Sequence, residues 1–133
     1  MIKDFIVTQP KNILVVEDDK LSQNIISRIL KTKNYSVTTA SNGKLAIPII
    51  EAQKPDLVLL DVMMPELSGM DTLKWIKANY PGIPVIMLTC LDQEGKASKE
   101  AKALGAFDFI GKPPDFQHLL NRVEQALSQN SST

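Results

Sequence analysis

The chain has 133 residues, with 15 Lys+Arg against 15 Asp+Glu and therefore a formal net charge of zero. This length suits one domain with its own core, and the balanced charge provides no basic field for nucleic acid. Its apolar runs are much shorter than the ~20 residues of a membrane span, and the N-terminal MIKDFIVTQPK lacks a secretory signal. The single cysteine, Cys90, cannot form an intrachain disulfide. We therefore expect a soluble cytoplasmic domain.

Short apolar runs alternate along the chain with longer segments of helical period. Near-continuous apolar strands indicate burial on both faces, as in a parallel sheet covered by helices. The alternation therefore predicts an α/β fold of five strands and five helices. The predicted elements are β1 (12–16), α1 (19–31), β2 (36–40), α2 (42–52), β3 (57–60), α3 (68–78), β4 (84–88), α4 (93–104), β5 (107–110) and α5 (115–128). Residues 12–128 form the predicted domain, with tails at 1–11 and 129–133.

The apolar spacing also predicts which helix faces are buried. In α1, Leu21, Ile25 and Ile29 form one stripe, with Ile26 and Leu30 beside it. The pattern of α5 places apolar residues at i, i+3, i+4, i+7 and i+11, namely Phe116, Leu119, Leu120, Val123 and Leu127.

Helix starts and interruptions are visible as well. Ser68 and Asp71 fit a capping box at the start of α3, and Asp19 is the expected N-cap of α1. Pro48 lies inside the predicted α2, where it removes a hydrogen-bond donor and should kink or shorten the helix.

Polar residues follow the apolar strands at their carboxyl ends. In a doubly wound parallel sheet of order 2-1-3-4-5, the carboxyl ends of β1, β3, β4 and β5 are adjacent, and ligands bind at this edge. We therefore expect these side chains to converge on one pocket. They are Glu17, Asp18 and Asp19 after β1, Asp61 after β3, Thr89 after β4, and Lys112 after β5.

The residue types in this predicted pocket indicate phosphoryl transfer. Clustered carboxylates repel one another unless a cation joins them, and hard oxygen ligands suit Mg²⁺. A metal ion, the Lys112 ammonium and the Thr89 hydroxyl together would hold the oxygens of a phosphoryl group. Asp61, at the centre of the row, is then the predicted nucleophile, which would become an aspartyl-phosphate.

Four segments carry a resemblance to a known family. In order and spacing, the chain is similar to the receiver domain of bacterial two-component response regulators over residues 11–128, and the segments are ILVVEDD, LVLLDVMMPELSGMD, VIMLTCLD and GAFDFIGKPP. The resemblance implies a flavodoxin-like fold. It also implies that Glu17 and Asp18 organise Mg²⁺, that the backbone carbonyl of Met63 is a further metal ligand, and that Asp61 is both a metal ligand and the phosphorylated residue.

The same resemblance assigns the remaining site residues. Thr89 and Lys112 would bind phosphoryl oxygens. Thr89 and Phe109 would form a switch in which the aromatic ring turns inward when the hydroxyl moves toward the phosphate. The bond between Lys112 and Pro113 is expected to be cis. Two residues differ from common variants of the family: Glu17 replaces an aspartate, and Phe109 replaces a tyrosine and so lacks its hydroxyl.

The implied function is a phosphorylation-dependent switch. A histidine kinase or histidine phosphotransfer protein would donate the phosphoryl group, and the α4-β5-α5 surface would then regulate a partner protein or a fused output domain. By this resemblance the domain would be a phosphoacceptor that catalyses its own phosphorylation and dephosphorylation, and we expect no direct contact with nucleic acid or membrane. A homodimer through α4-β5-α5, with Asp108 and Arg122 paired across it, is left open, as is whether the receiver stands alone.

Other functions fit the residues less well. A Mg²⁺-dependent phosphohydrolase of haloacid-dehalogenase type needs a second acid two residues after the nucleophile, where this chain has Met63, and a cap region as well. A flavin mononucleotide carrier needs a phosphate loop after β1, where three acids would repel the anion. Taken singly, Asp61 or the acids after β1 could cap helices and Lys112 could be a solvated charge, but their common position favours a site.

Overall fold

The fold is a five-stranded parallel sheet in the order β2-β1-β3-β4-β5, as predicted. The computed structural model describes residues 10–63, 67–90, 96–112 and 114–131. Its elements are β1 Asn12–Val16, α1 Lys20–Lys31, β2 Ser36–Ala40, α2 Gly43–Gln53, β3 Leu57–Asp61, α3 Gly69–Asn79, β4 Val85–Cys90, α4 Lys96–Ala103, β5 Asp108–Lys112 and α5 Phe116–Ser131. None of the helices in these ranges is long and apolar enough to cross a membrane.

Each face of the sheet has its own hydrophobic core, because successive strand residues point to opposite sides. In β1, Ile13 and Val15 pack with α1 and α5, whereas Leu14 and Val16 pack with α2, α3 and α4. All four residues are fully buried. The sheet is therefore covered by helices on both faces, which explains the near-continuous apolar strands.

The first turns of α1, α2 and α3 lie at the carboxyl edge of the sheet and are capped by side chains. Asp19 accepts a hydrogen bond from the Ser22 amide at 2.8 Å and caps α1, as predicted. Ser68 caps α3 by accepting from the Asp71 amide at 3.2 Å, and its hydroxyl donates to the Asp71 carboxylate at 3.1 Å. The predicted pair at this terminus therefore forms, with the acid bonded to the hydroxyl of the cap.

The predicted buried stripe of α1 is partly wrong. Leu21 and Ile25 are 68% and 46% exposed, while Gln23 is buried together with Ile26, Ile29 and Leu30. The helix is thus rotated so that a glutamine takes the place of Leu21 on the inner face. In α5, Phe116 is 45% exposed, whereas the other four residues of its predicted stripe are buried.

Two helices differ from what the sequence predicted: α2 is not shortened by its proline, and α5 ends later than expected. Pro48 lies inside α2, which runs unshortened from Gly43 to Gln53. The donor that Pro48 lacks would have met the carbonyl of Lys44, and both residues are exposed, so water can satisfy that oxygen. At the C-terminus, α5 extends to Ser131, three residues beyond the predicted end at 128.

The start of α3 packs directly against the end of β3. A Cβ atom on Gly69 would lie 2.1 Å from the Asp61 carbonyl oxygen and 2.6 Å from the Val62 Cα. The Gly69 amide also donates to the Val62 carbonyl at 3.0 Å. Only a residue without a side chain permits this approach of the two backbones.

We predict that Gly69→Ala lowers the free energy of unfolding by about 1–3 kcal/mol, because an added methyl group would overlap the backbone of Asp61. Urea denaturation measures this difference. Gly82→Ala is the matched control, since nothing lies within 4 Å of a Cβ added there. Equal stabilities of the two variants would contradict the inferred contact.

Candidate functional site

The predicted side chains converge at the carboxyl edge of the sheet, although they come from distant parts of the chain. Lys112, the last residue of β5, contacts Glu17 after β1 and Asp61 at the end of β3. These pairs are separated by 95 and 51 residues in sequence. Thr89 lies in β4 between them, opposite Gly111 of β5.

Lys112 bridges two buried carboxylates. Its Nζ lies 2.6 Å from Glu17 Oε1 and 3.2 Å from Asp61 Oδ2. Glu17 is fully buried and Asp61 is 2% exposed. Burial disfavours the ammonium form of Lys112, but the hydrogen bond that it donates to Glu17 and the negative charges of Asp61 and Glu17 outweigh this effect, so the pKa of Lys112 is raised. The lysine therefore remains charged.

The acidic cluster formed by Glu17, Asp18 and Asp61 fits a divalent cation. Each residue offers a carboxylate oxygen, and these oxygens all lie within 4.8 Å of one another. Three carboxylates and the Lys112 ammonium leave a net charge of −2, which a Mg²⁺ ion would balance. Asp18 is exposed, so the cluster is open to solvent on one side. Glu17, Asp18 and Asp61 could therefore hold Mg²⁺ with oxygen ligands and water.

Backbone amides hold the two buried carboxylates in place. The Asp19 amide donates to Glu17 Oε2 at 3.1 Å, and the Met63 amide donates to Asp61 Oδ1 at 3.2 Å. The second bond brings the backbone amide of Met63 beside Asp61, and the role of the Met63 carbonyl as a further ligand stays a prediction. The Met63 side chain is 75% exposed.

Thr89 and Phe109 lie on the same face of the sheet. Met87 pairs with Phe109 and Thr89 pairs with Gly111 in the β4–β5 register, so the hydroxyl and the ring are diagonal neighbours. Thr89 is buried, whereas Phe109 is half-buried and packs against the core that contains Met87. Gly111, opposite Thr89, brings no side chain to the space between them. Pro113 lies outside the described residues, so the expected cis bond stays a prediction.

Asp108 and Arg122, which the sequence left open as a pair between two subunits, form an ion pair inside one chain. The Arg122 Nε–H donates to Asp108 Oδ2, and the guanidinium lies 5.3 Å from the centre of the Phe107 ring. This contact joins α5 to β5.

Two residues near the cluster were not predicted from the sequence. Gly69 packs against the Asp61 backbone, and Gln23 is buried beside the carbonyl of Glu17. A sequence signal existed for Gln23, because it lies three residues before Ile26 on the buried face of α1. For Gly69 the signal was only a glycine directly after a helix cap.

We predict that the stabilisation contributed by Lys112 is lost as the pH rises into the alkaline range. Because its pKa is raised on folding, the contribution is fully present below the unfolded value of about 10.4 and falls as the pH rises through the higher folded value. Between neutral pH and about pH 10, the difference in unfolding free energy between wild type and Lys112→Met should be constant, and above that range it should shrink. Urea denaturation across this range measures it. The exposed Lys44→Met is the control, and a difference that stays constant into strong alkali would contradict the prediction.

Comparison with known proteins agrees with this geometry. Residues 13–124 match the family model of the response regulator receiver domain. The chain is 40% identical over 121 residues to the transcriptional regulatory protein ZraR of Escherichia coli, an overlap that covers 91% of this chain and 27% of ZraR. It is 34% identical over 122 residues to the response regulator MprA of Mycolicibacterium vanbaalenii, covering 92% of this chain and 52% of MprA.

A solved structure shows the same fold. The receiver domain of NtrX from Brucella abortus superposes with a TM-score of 0.83 at 31% sequence identity, covering 87% of this chain and 98% of that domain. The chain spans about half or less of the length of the curated relatives named above. It belongs to the response regulator receiver domain family, whose members act in phosphorylation-dependent signalling.

Proposed function

We propose that Asp61 accepts a phosphoryl group from a phosphohistidine donor in the presence of Mg²⁺, and that phosphorylation changes the α4-β5-α5 surface to regulate a partner protein or an output domain. The observation that carries this proposal is the position of the Lys112 ammonium between the buried Glu17 and Asp61, within a cluster that has an excess of negative charge. A lysine and a metal ion together can stabilise the charge of a transferring phosphoryl group.

The roles of the residues follow from their positions. An Asp61 carboxylate oxygen attacks phosphorus, the P–N bond of the phosphohistidine breaks, and the electron pair remains on the imidazole nitrogen. Lys112 and the Thr89 hydroxyl bind phosphoryl oxygens. Mg²⁺, when bound by Glu17, Asp18, Asp61 and the Met63 carbonyl, would neutralise negative charge between the nucleophile and the phosphoryl group. Attack of water on phosphorus later releases phosphate and restores the carboxylate, so the domain is its own phosphatase.

Exposed apolar side chains support a protein as the donor. Leu21, Leu45 and Phe116 are 68%, 53% and 45% exposed in the first turns of α1, α2 and α5, and Met63 is 75% exposed in the segment after β3. All of these positions follow the carboxyl end of a strand, so they lie toward the same edge as Asp61. Apolar surface near a reactive group favours protein contact. A histidine kinase or a histidine phosphotransfer protein would provide such a contact.

The space beside Thr89 supports a switch. Movement of its hydroxyl toward a phosphoryl group on Asp61 would free room on the face that it shares with Phe109, and Gly111 does not fill that room. The half-buried ring could then turn inward and alter the surface at β5. Phosphorylation can shift this equilibrium only by stabilising one arrangement more than the other.

The first test is the intact mass after incubation with acetyl phosphate, with and without Mg²⁺. Wild type should gain one phosphoryl group only with Mg²⁺, and Asp61→Asn should gain none, because the amide is a poor nucleophile. Asp115→Asn is the matched control: it changes an exposed acid outside the cluster and keeps the side-chain oxygen that accepts from the Gln117 amide. Equal phosphorylation of Asp61→Asn and wild type would overturn the assignment.

The switch is tested with Phe109→Leu. We expect phosphorylation to proceed but its coupling to the α4-β5-α5 surface to weaken by about 0.5–2 kcal/mol. The readout is the phosphorylation-dependent change in hydrogen exchange at β5 and α5. Ile110→Val is the control, since that β5 side chain packs in the core on the other face of the sheet. An exchange response in Phe109→Leu that equals wild type would rule out this switch.

A further inference from the structure

Gln23 is a buried polar residue on the inner face of α1. It is 4% exposed, and the other buried residues of the helix, Ile26, Ile29 and Leu30, are all apolar. Burying an amide is unfavourable unless its hydrogen-bonding groups find partners. Filling the core therefore does not account for a glutamine at this position, and its contacts give the reason.

The Gln23 side chain joins the carboxyl ends of two strands. Its Nε2 donates to the Glu17 carbonyl at 3.0 Å and, at the outer limit of a hydrogen bond, to the Ala40 carbonyl at 3.5 Å. The Ala40 carbonyl also accepts from the Glu17 amide at 3.0 Å. The Gln23 side chain thus adds hydrogen bonds to Glu17, just after β1, and to Ala40, the last residue of β2, at the point where the backbone hydrogen bonds between these two strands end.

This contact fixes the backbone from which the acidic cluster projects. The Glu17 peptide groups are held on one side by Ala40 and on the other by Gln23. Two residues further on, Asp19 is held as the N-cap of α1 and its amide binds the Glu17 carboxylate. Asp18, the exposed member of the cluster, lies between these two anchors.

We propose that Gln23 is a positioning residue that holds Glu17 and Asp18 in the orientation needed for Mg²⁺ and thereby sets the affinity of the cluster for the ion. This inference rests on the proposed function. Residues that orient metal ligands change affinity by about 10–100-fold when they are removed. Loss of the Gln23 amide would leave the Glu17 carbonyl without this donor and free the loop to turn its carboxylates apart.

The test compares Mg²⁺ binding by wild type and Gln23→Met, measured by isothermal titration calorimetry without a phosphodonor. Methionine keeps the length of the side chain but cannot donate a hydrogen bond. We expect the Mg²⁺ dissociation constant to rise about tenfold, and the increase in melting temperature on adding Mg²⁺ to shrink accordingly. The rate of phosphorylation by acetyl phosphate should recover at saturating Mg²⁺, because Gln23 does not contact the phosphoryl group.

Ile26→Val is the control for a purely structural effect, since it shortens a buried side chain of the apolar core on the same face of α1 and removes no hydrogen bond to Glu17. Gln23→Leu, which also removes the amide, should show the same loss of affinity and serves if Gln23→Met does not fold. Unchanged Mg²⁺ affinity in a folded Gln23 variant, or an equal loss in Ile26→Val, would overturn the positioning role alone. Failure of the wild type to bind Mg²⁺ would overturn the proposed function as well.

Discussion

The contact of Lys112 with two buried carboxylates is the interaction on which the site depends. Glu17 and Asp61 are almost completely removed from water, and isolated charges in such positions are strongly unfavourable. Lys112 reaches both from β5, which is separated from β3 by β4 in the sheet. The site therefore exists only when the carboxyl ends of β1, β3 and β5 are aligned, so the cluster of Glu17, Asp61 and Lys112 is a consequence of the sheet topology.

The lysine does not fully compensate the acids, and this imbalance connects stability with function. An excess of negative charge in the cluster is unfavourable in the absence of a cation, and the same excess would favour binding of one. The surroundings limit how far the carboxylates can separate: the Asp19 and Met63 amides bind Glu17 and Asp61, and Gly69 packs against the Asp61 backbone. Rigid neighbours thus hold together groups that would otherwise repel one another.

The sequence predicted the positions of strands well because buried parallel strands are nearly continuous apolar runs, and it predicted the site because polar residues follow those runs. The orientation of α1 about its axis was harder to predict from the sequence. Apolar spacing alone places Leu21 on the buried face, whereas the structure buries Gln23 and exposes Leu21. The contact of Gly69 with Asp61 depends on how closely two backbones approach, which a linear pattern does not encode. Spacing likewise did not distinguish a pair within one chain from a pair between two chains for Asp108 and Arg122.

That intrachain pair bears on how a change at β5 reaches the surface. One Asp108 oxygen accepts from Arg122 on α5, and the other accepts from the backbone amide of Phe109 at 2.8 Å. Arg122 also lies over the ring of Phe107, the residue just before β5. Arg122 of α5 therefore contacts both Phe107 and Asp108, and Asp108 in turn binds the Phe109 amide. A movement of the Phe109 backbone would therefore disturb the acceptor that holds α5. For the same reason, a dimer that used Asp108 or Arg122 across its interface would first have to break this pair, and the proposed switch would act through the same α5–β5 contact.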